Sequence, residues 1–176
     1  MGLVHIYCGD GKGKTSAAVG LAVRAAGCGK RVVIARFLKT DNSGEVEILK
    51  KIPEVTLIPC RKTFGFVRSM DEETKRECAA YHRELFVEAV KLAEHADLVV
   101  FDEIMAAVNY GMVPERDVLE FLENRPGRDQ TDGLEIVLTG RDPSEKLIAA
   151  ADYVSEICKR KHPFDRGIMA RRGVEY

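Results

Sequence analysis

Nine residues near the N-terminus, Cys8-Gly9-Asp10-Gly11-Lys12-Gly13-Lys14-Thr15-Ser16, have the types and spacing needed to hold a polyphosphate. A loop that wraps phosphate oxygens must turn its backbone N–H groups inward, and glycine reaches those conformations most easily. A helix opening at Lys14 would add the partial positive charge of its N-terminus. Lys14 adds a full charge, and the Thr15 hydroxyl can ligate Mg²⁺. The usual spacing of such loops is G-x-x-x-x-G-K-[ST]; here its first glycine falls on Cys8, so the match is imperfect. The acidic counterpart is Leu98-Val99-Val100-Phe101-Asp102-Glu103, an apolar run that ends in two acids. In a parallel sheet such a strand end delivers a carboxylate to the metal, directly or through water. Which of Asp102 and Glu103 binds directly stays open.

These residues need a sheet to position them. Leu3–Tyr7, Arg31–Phe37, Val55–Pro59, Leu98–Phe101, Glu135–Thr139 and Tyr153–Ile157 read as strands, several apolar at consecutive positions as strands buried on both faces must be. Helices are expected at Lys14–Gly27, ending on Gly27, and at Asp71–His95, with Cys78, Tyr81, Leu85, Ala89, Leu92 and Ala96 on one face. Two more are expected: Pro114–Asn124, stopped by Arg125-Pro126-Gly127, and Pro143–Ala151, with Asp142 as its N-cap. Thr40–Gly44 and Gly127–Gly133 read as loops. Strand–helix alternation implies one α/β domain over 1–176 with a mostly parallel sheet, helices on both faces and ligands at the carboxyl ends of the strands. Together with the glycine-rich loop, the expected fold is that of the P-loop (RecA-like) NTPases.

Bulk composition agrees with one domain. The 176 residues are 45% hydrophobic and 31% charged, enough for a single full core. A formal net charge of −1 points to no nucleic acid and no membrane surface. Basic residues nevertheless crowd the end: Lys159, Arg160, Lys161, Arg166, Arg171 and Arg172. Five cysteines without C-x-x-C spacing and four scattered histidines argue against a disulfide framework or a zinc site. No apolar stretch approaches the roughly 20 residues that span a bilayer, and a strand-like run starts at once, so a cytoplasmic protein is expected.

A phosphate loop alone does not name a reaction: transfer of the γ-phosphoryl group by a kinase or ATPase, and a nucleotide switch without chemistry, both use one. The run Gly9–Ser16, then Arg24-Ala25-Ala26-Gly27-Cys28-Gly29-Lys30 and Val32–Lys39, resembles the corrinoid adenosyltransferases, whose loop is G-[ND]-G-K-G-K-T-[TS]. The short spacing is that family's usual form. Asp102-Glu103-Ile104 with Asn109-Tyr110-Gly111, Arg125-Pro126-Gly127, and Leu138-Thr139-Gly140-Arg141 are similar to its further signatures. So is the ending from Lys161-His162-Pro163-Phe164 to Gly173-Val174-Glu175-Tyr176.

The resemblance implies transfer of 5′-deoxyadenosyl from Mg-ATP to the Co(I) of a reduced corrinoid, with loss of the whole triphosphate. It implies that Gly9, Asp10, Gly11, Lys12, Gly13, Lys14, Thr15 and Ser16 bind the nucleotide, with Lys14, Lys12 and Arg141 on the triphosphate. Thr15, Asp102 and Glu103 would surround Mg²⁺. Glu45 matches the family's G-E and would touch the nucleotide. Phe64 and Phe66, in Thr63-Phe64-Gly65-Phe66-Val67-Arg68, would press on the corrin face, although Arg68 stands where the family has Trp. Arg128–Gly133 lengthens a family link and reads as a surface insertion. An electron-donating flavoprotein and a homodimer are the implied partners.

Overall fold

The computed structural model describes residues 2–128, 130 and 132–175. Six strands, β1 (Val4–Cys8), β2 (Val32–Arg36), β3 (Val55–Leu57), β4 (Leu98–Asp102), β5 (Glu135–Thr139) and β6 (Tyr153–Glu156), form one sheet in the order β3-β2-β4-β5-β1-β6. Every pairing is parallel. The helices are α1 (Lys14–Gly27), α2 (Gly44–Leu49), α3 (Glu72–Ala93), α4 (Ile104–Asn109), α5 (Glu115–Asn124) and α6 (Glu145–Ala149), with short 3₁₀ turns at Val67–Ser69 and Pro163–Arg166.

Burial follows from this order. β2 and β4 are interior strands and every residue in them is buried, whereas the edge strand β6 is exposed throughout. The sheet splits the core in two. On one face Ala18, Ala22 and Ala26 of α1 pack on Ile34, Val100 and Val137. Their small side chains let the helix lie close to the sheet, which keeps its N-terminus beside the strand ends. On the other face α3 and α5 enclose Phe101, whose ring lies 5.5 Å from Phe86 and 5.6 Å from Phe121. Register then aligns the functional ends: Arg36 lies opposite Asp102, and Tyr7 opposite Thr139.

Several boundaries differ from expectation for local reasons. The last helix starts at Glu145, capped by Ser144 Oγ, which accepts from Leu147 N at 3.2 Å; Asp142 lies outside it, with φ 51°. Gly27 remains helical, and Gly29 takes the left-handed position with φ 74°. The expected Thr40–Gly44 loop runs directly into α2, a helix too short to show periodicity. In α3 the buried face is Cys78, His82, Leu85, Phe86, Ala89 and Ala93, so Tyr81 and Leu92 are only half-buried. Within the Arg128–Gly133 stretch, Asp129 and Thr131 lie outside the described residues. Among the described residues, no helix is long and apolar enough to cross a membrane.

His82 is an ionisable group inside this core. It is 3% exposed, and burial alone lowers its pKa from 6.5 to about 4. The folded state therefore holds it neutral while the unfolded chain protonates first. Its contribution is complete above pH 6.5 and is lost as pH falls towards 4, amounting to about 3 kcal/mol. Urea unfolding should show this loss, and His82→Phe should flatten the profile over the same window.

Candidate active site at the carboxyl edge of the sheet

The loop after β1 is shaped by the chain that follows β6. Ile157 N donates to Cys8 O at 2.8 Å, and Gly11 N donates to Ile157 O at 2.7 Å. This approach leaves no room for side chains: a Cβ on Gly9 or on Gly11 would lie 2.6 Å from Ile157 O. Asp10 faces the same segment. Its carboxylate accepts from Lys159 N at 2.8 Å, and that hydrogen bond is the main reason its pKa lies below the usual value. Asp10 thus braces the loop. Lys14 folds beneath the loop, its Nζ donating to Gly9 O at 2.8 Å and Gly11 O at 2.9 Å. Burial pulls its pKa below the ordinary lysine value, with Glu103 opposing the shift. Two of its three donors are used, and the third is free for an anion.

Asp102 ends β4 and is 2% exposed. Its Oδ1 accepts from Thr15 Oγ1 at 3.0 Å and from Thr139 Oγ1 at 2.7 Å, and its Oδ2 is ion-paired with Lys39. Glu103 adopts a left-handed backbone, φ 62°, held by its N–H donating to Thr139 Oγ1 at 2.8 Å. That turn sends the chain into α4 and leaves Glu103 half-buried on the wall of a cavity beside the loop. The two acids therefore differ: Asp102 is tied to Thr15, and Glu103 stands at the rim. No group of three or more His, Cys, Asp or Glu that could hold a metal ion occurs among the described residues. The Thr15–Asp102 pair nevertheless fits Mg²⁺, which keeps several waters and commonly takes one or two carboxylates plus phosphate oxygens.

Three cavities surround this centre. The smallest, about 230 Å³, is lined by Asp10–Ser16, Glu103, Arg141, Val174 and Glu175. Arg141 Nη2 reaches Asp10 O at 3.5 Å there, which puts its charge beside the loop. A groove of about 690 Å³ runs past Thr15, Val19, Lys39, Glu45 and Val174. A third cavity, about 650 Å³, is walled by Leu38, Phe66, Val67 and Tyr110, with Lys39, Arg68 and Glu103 as its charged groups. Phe66 is 87% exposed beside it. Phe64 instead packs on Tyr81 and His82, 5.7 and 6.3 Å between ring centres, with Lys62 over its ring.

The C-terminal segment closes over the loop, which the sequence pattern did not foretell. Glu175 accepts from Lys12 Nζ at 3.2 Å and pairs with Arg171. Hydrogen bonds from Arg171 hold its pKa down, at about 2. A carboxylate on Lys12 competes with any incoming phosphate. Glu175→Gln should therefore tighten binding of inorganic tripolyphosphate about two- to threefold in a titration, as expected for an exposed pair. Lys39 and Thr139 were also missed as site residues. Thr139 lies in the Thr139-Gly140-Arg141 signature, but nothing in the sequence singles out its hydroxyl; a lysine three residues past a strand carries no signal of its own.

Comparison with known proteins places the chain in a family. A family model described as ATP:corrinoid adenosyltransferase BtuR/CobO/CobP matches residues 1–176. The corrinoid adenosyltransferase of Escherichia coli (strain K12) is 34% identical over 178 residues, covering 99% of this chain and 86% of that protein. The corrinoid adenosyltransferase CobA of Salmonella typhimurium (strain LT2) is 35% identical over 179 residues, with 99% and 86% covered. That of Pseudomonas aeruginosa is 33% identical over 177 residues, with 99% and 84% covered. Matched by that family model over residues 1–176 and about a third identical to these relatives over 99% of its length, the chain belongs to the ATP:corrinoid adenosyltransferase family.

Proposed function

We propose that this enzyme transfers the 5′-deoxyadenosyl group of Mg-ATP to the Co(I) of a reduced corrinoid and releases inorganic triphosphate. The observation that carries the reading is the arrangement of cavities. A small cavity lined by Lys14 and Arg141 would suit the phosphates, and two larger cavities share Leu38 and Lys39 as a common wall. A nucleotide in the groove and a broad apolar ligand in the third cavity would meet at that wall.

Co(I) attacks the 5′ carbon with its own electron pair. The Co–C bond forms as the C–O bond breaks, and the electrons of that bond leave with the triphosphate oxygen. Cobalt ends formally as Co(III). The nucleophile carries no proton, so no general base is needed. The protein's tasks are to align the three reacting atoms and to stabilise charge growing on the leaving group. Lys14, with two donors anchored on loop carbonyls, is pre-oriented for that charge. Lys12, Arg141 and the loop amides add to it. Thr15 and Asp102, with Glu103 at the rim, would hold Mg²⁺, which supplies further neutralisation of the polyphosphate when bound. Gly9 and Gly11 let the loop lie against Ile157, Gly13 supplies the φ of 124° that opens α1, and Ser16 lines both the groove and the smallest cavity. Phe66 and Tyr110 would flank the corrin ring. A flavoprotein would supply the electron, and a cytoplasmic homodimer would be the working form.

The test is direct. The protein, Mg-ATP and chemically reduced cobalamin should give a light-sensitive Co–C species by visible spectroscopy, with one triphosphate released for each one formed. Release of ADP or of terminal phosphate without a cobalt product would instead identify a γ-phosphoryl transferase or an ATPase.

A further inference from the structure

Asp102 is the most confined carboxylate in the site. Its carboxylate is 2% exposed, and two of its contacts come from neutral hydroxyls, those of Thr15 and Thr139. A carboxylate taken out of water needs a cation as well as hydrogen bonds. The cation here is Lys39, whose Nζ donates to Thr15 Oγ1 at 2.7 Å and pairs with Asp102 Oδ2. The ammonium therefore bridges the same hydroxyl and the same carboxylate that would hold Mg²⁺. An ammonium and a divalent ion cannot share that position, because both need the same oxygens and each repels the other.

The segment that delivers Lys39 is built to hold it there. Arg36, at the end of β2, is 2% exposed; it donates to Thr40 O at 2.9 Å and pairs with Asp41. Asp41 in turn accepts from Cys60 N at 3.1 Å. Leu38 sits between these anchors with φ 51°, a left-handed conformation that costs a non-glycine residue energy. The backbone is pinned on both sides of Lys39, so any movement must come from its flexible four-carbon side chain. That side chain lies in the wall shared by the groove and the apolar cavity.

We propose that Lys39 is a tethered counter-ion for Asp102 that gives up its place to Mg²⁺ and turns its charge towards the polyphosphate. The proposal rests on the Mg-ATP reading above, but its consequences appear without nucleotide or corrinoid. Asp102 is never left buried and uncompensated, and the site becomes metal-competent only as the lysine moves away. Lys39 is thus a positioning residue for the metal.

The experiment uses the full chain without nucleotide. Thermal unfolding is followed with and without millimolar Mg²⁺, and Mn²⁺ binding is measured by electron paramagnetic resonance. The wild-type midpoint should barely respond to Mg²⁺. Lys39→Met should lose several degrees in metal-free buffer, regain most of them with Mg²⁺, and bind Mn²⁺ at least about tenfold more tightly than wild type. Lys39→Arg keeps the charge and should behave as wild type. The double change Lys39→Met with Asp102→Asn removes both charges and should be stable and indifferent to Mg²⁺. A Lys39→Met protein no more metal-responsive than wild type, or one that does not fold even in Mg²⁺, would overturn the proposal. ATP binding to the wild type is scored separately. Its failure would count against the Mg-ATP reading, while the metal response would still decide the role of Lys39.

Discussion

Lys14→Ala is expected to lower kcat/KM for ATP by about 10²- to 10³-fold, the range found when a preorganised electrostatic group is removed from a site where charge develops. The reason lies in where the ammonium is held. Its donors to Gly9 O and Gly11 O fix it inside the loop at 2.8 and 2.9 Å, so the charge does not have to be ordered when the nucleotide arrives. Burial also lowers its pKa, which marks an environment where a neighbouring anion is felt strongly. The same change leaves two loop carbonyls without their donor, at a cost of about 1–3 kcal/mol if they stay dry. Urea unfolding must therefore accompany the kinetics. A stability loss with little change in kcat/KM would make Lys14 a structural brace and end its proposed role on the triphosphate. Lys14→Arg should rescue little, because a planar guanidinium cannot place single donors on both carbonyls and still point one at a phosphate.

What could be read from residues alone divides along physical lines. Interior strands were legible because a strand buried on both faces must be apolar at consecutive positions, as Val32–Arg36 and Leu98–Asp102 are up to their final polar residue. The tight turn after β1 was legible because its geometry demands glycine, and Glu135–Thr139 and Lys14–Gly27 came out with their observed limits. Harder to read were elements shorter than two turns of their own pattern, such as α2 and α4 at six residues each. Contacts set by the return of the chain were hidden altogether. Lys39 meets Asp102 only because β2 and β4 are neighbours in register, and Glu175 meets Lys12 only because the C-terminal segment folds back across the loop. The difference between Asp102 and Glu103 was likewise invisible, since it depends on a left-handed turn at Glu103 that its residue type does not favour. Phe64 and Phe66 illustrate the same limit. The motif names both, but which one packs against α3 and which one stands at a cavity is decided by the path of the loop around Gly65.

Two glycines of the loop should fail for different reasons, and the contrast tests whether the loop's shape or its closeness to the chain matters more. Gly11→Ala would put a Cβ 2.6 Å from Ile157 O and 2.9 Å from Cys158 C, all backbone, with no flexible side chain to yield. Either the loop or the segment after β6 must shift, and the 2.7 Å hydrogen bond from Gly11 N to Ile157 O is lost with it. That shift also moves Gly11 O, one of the two carbonyls that aim Lys14. A displacement of about 1 Å at this point should cost about a hundredfold in kcat/KM, and steric strain should remove about 1–3 kcal/mol of stability. Gly13→Ala meets no atom within 4 Å, but Gly13 has φ 124°, a conformation that an L side chain rarely adopts. Its penalty is the backbone conformation itself, of order 1–3 kcal/mol, and it falls on the residue that opens α1. The expected signature is that shortening or loosening the segment after Glu156 partly relieves Gly11→Ala and leaves Gly13→Ala unchanged. Equal relief of both would mean that the loop is not shaped by Ile157, and that its narrowness comes from the glycines' own conformations.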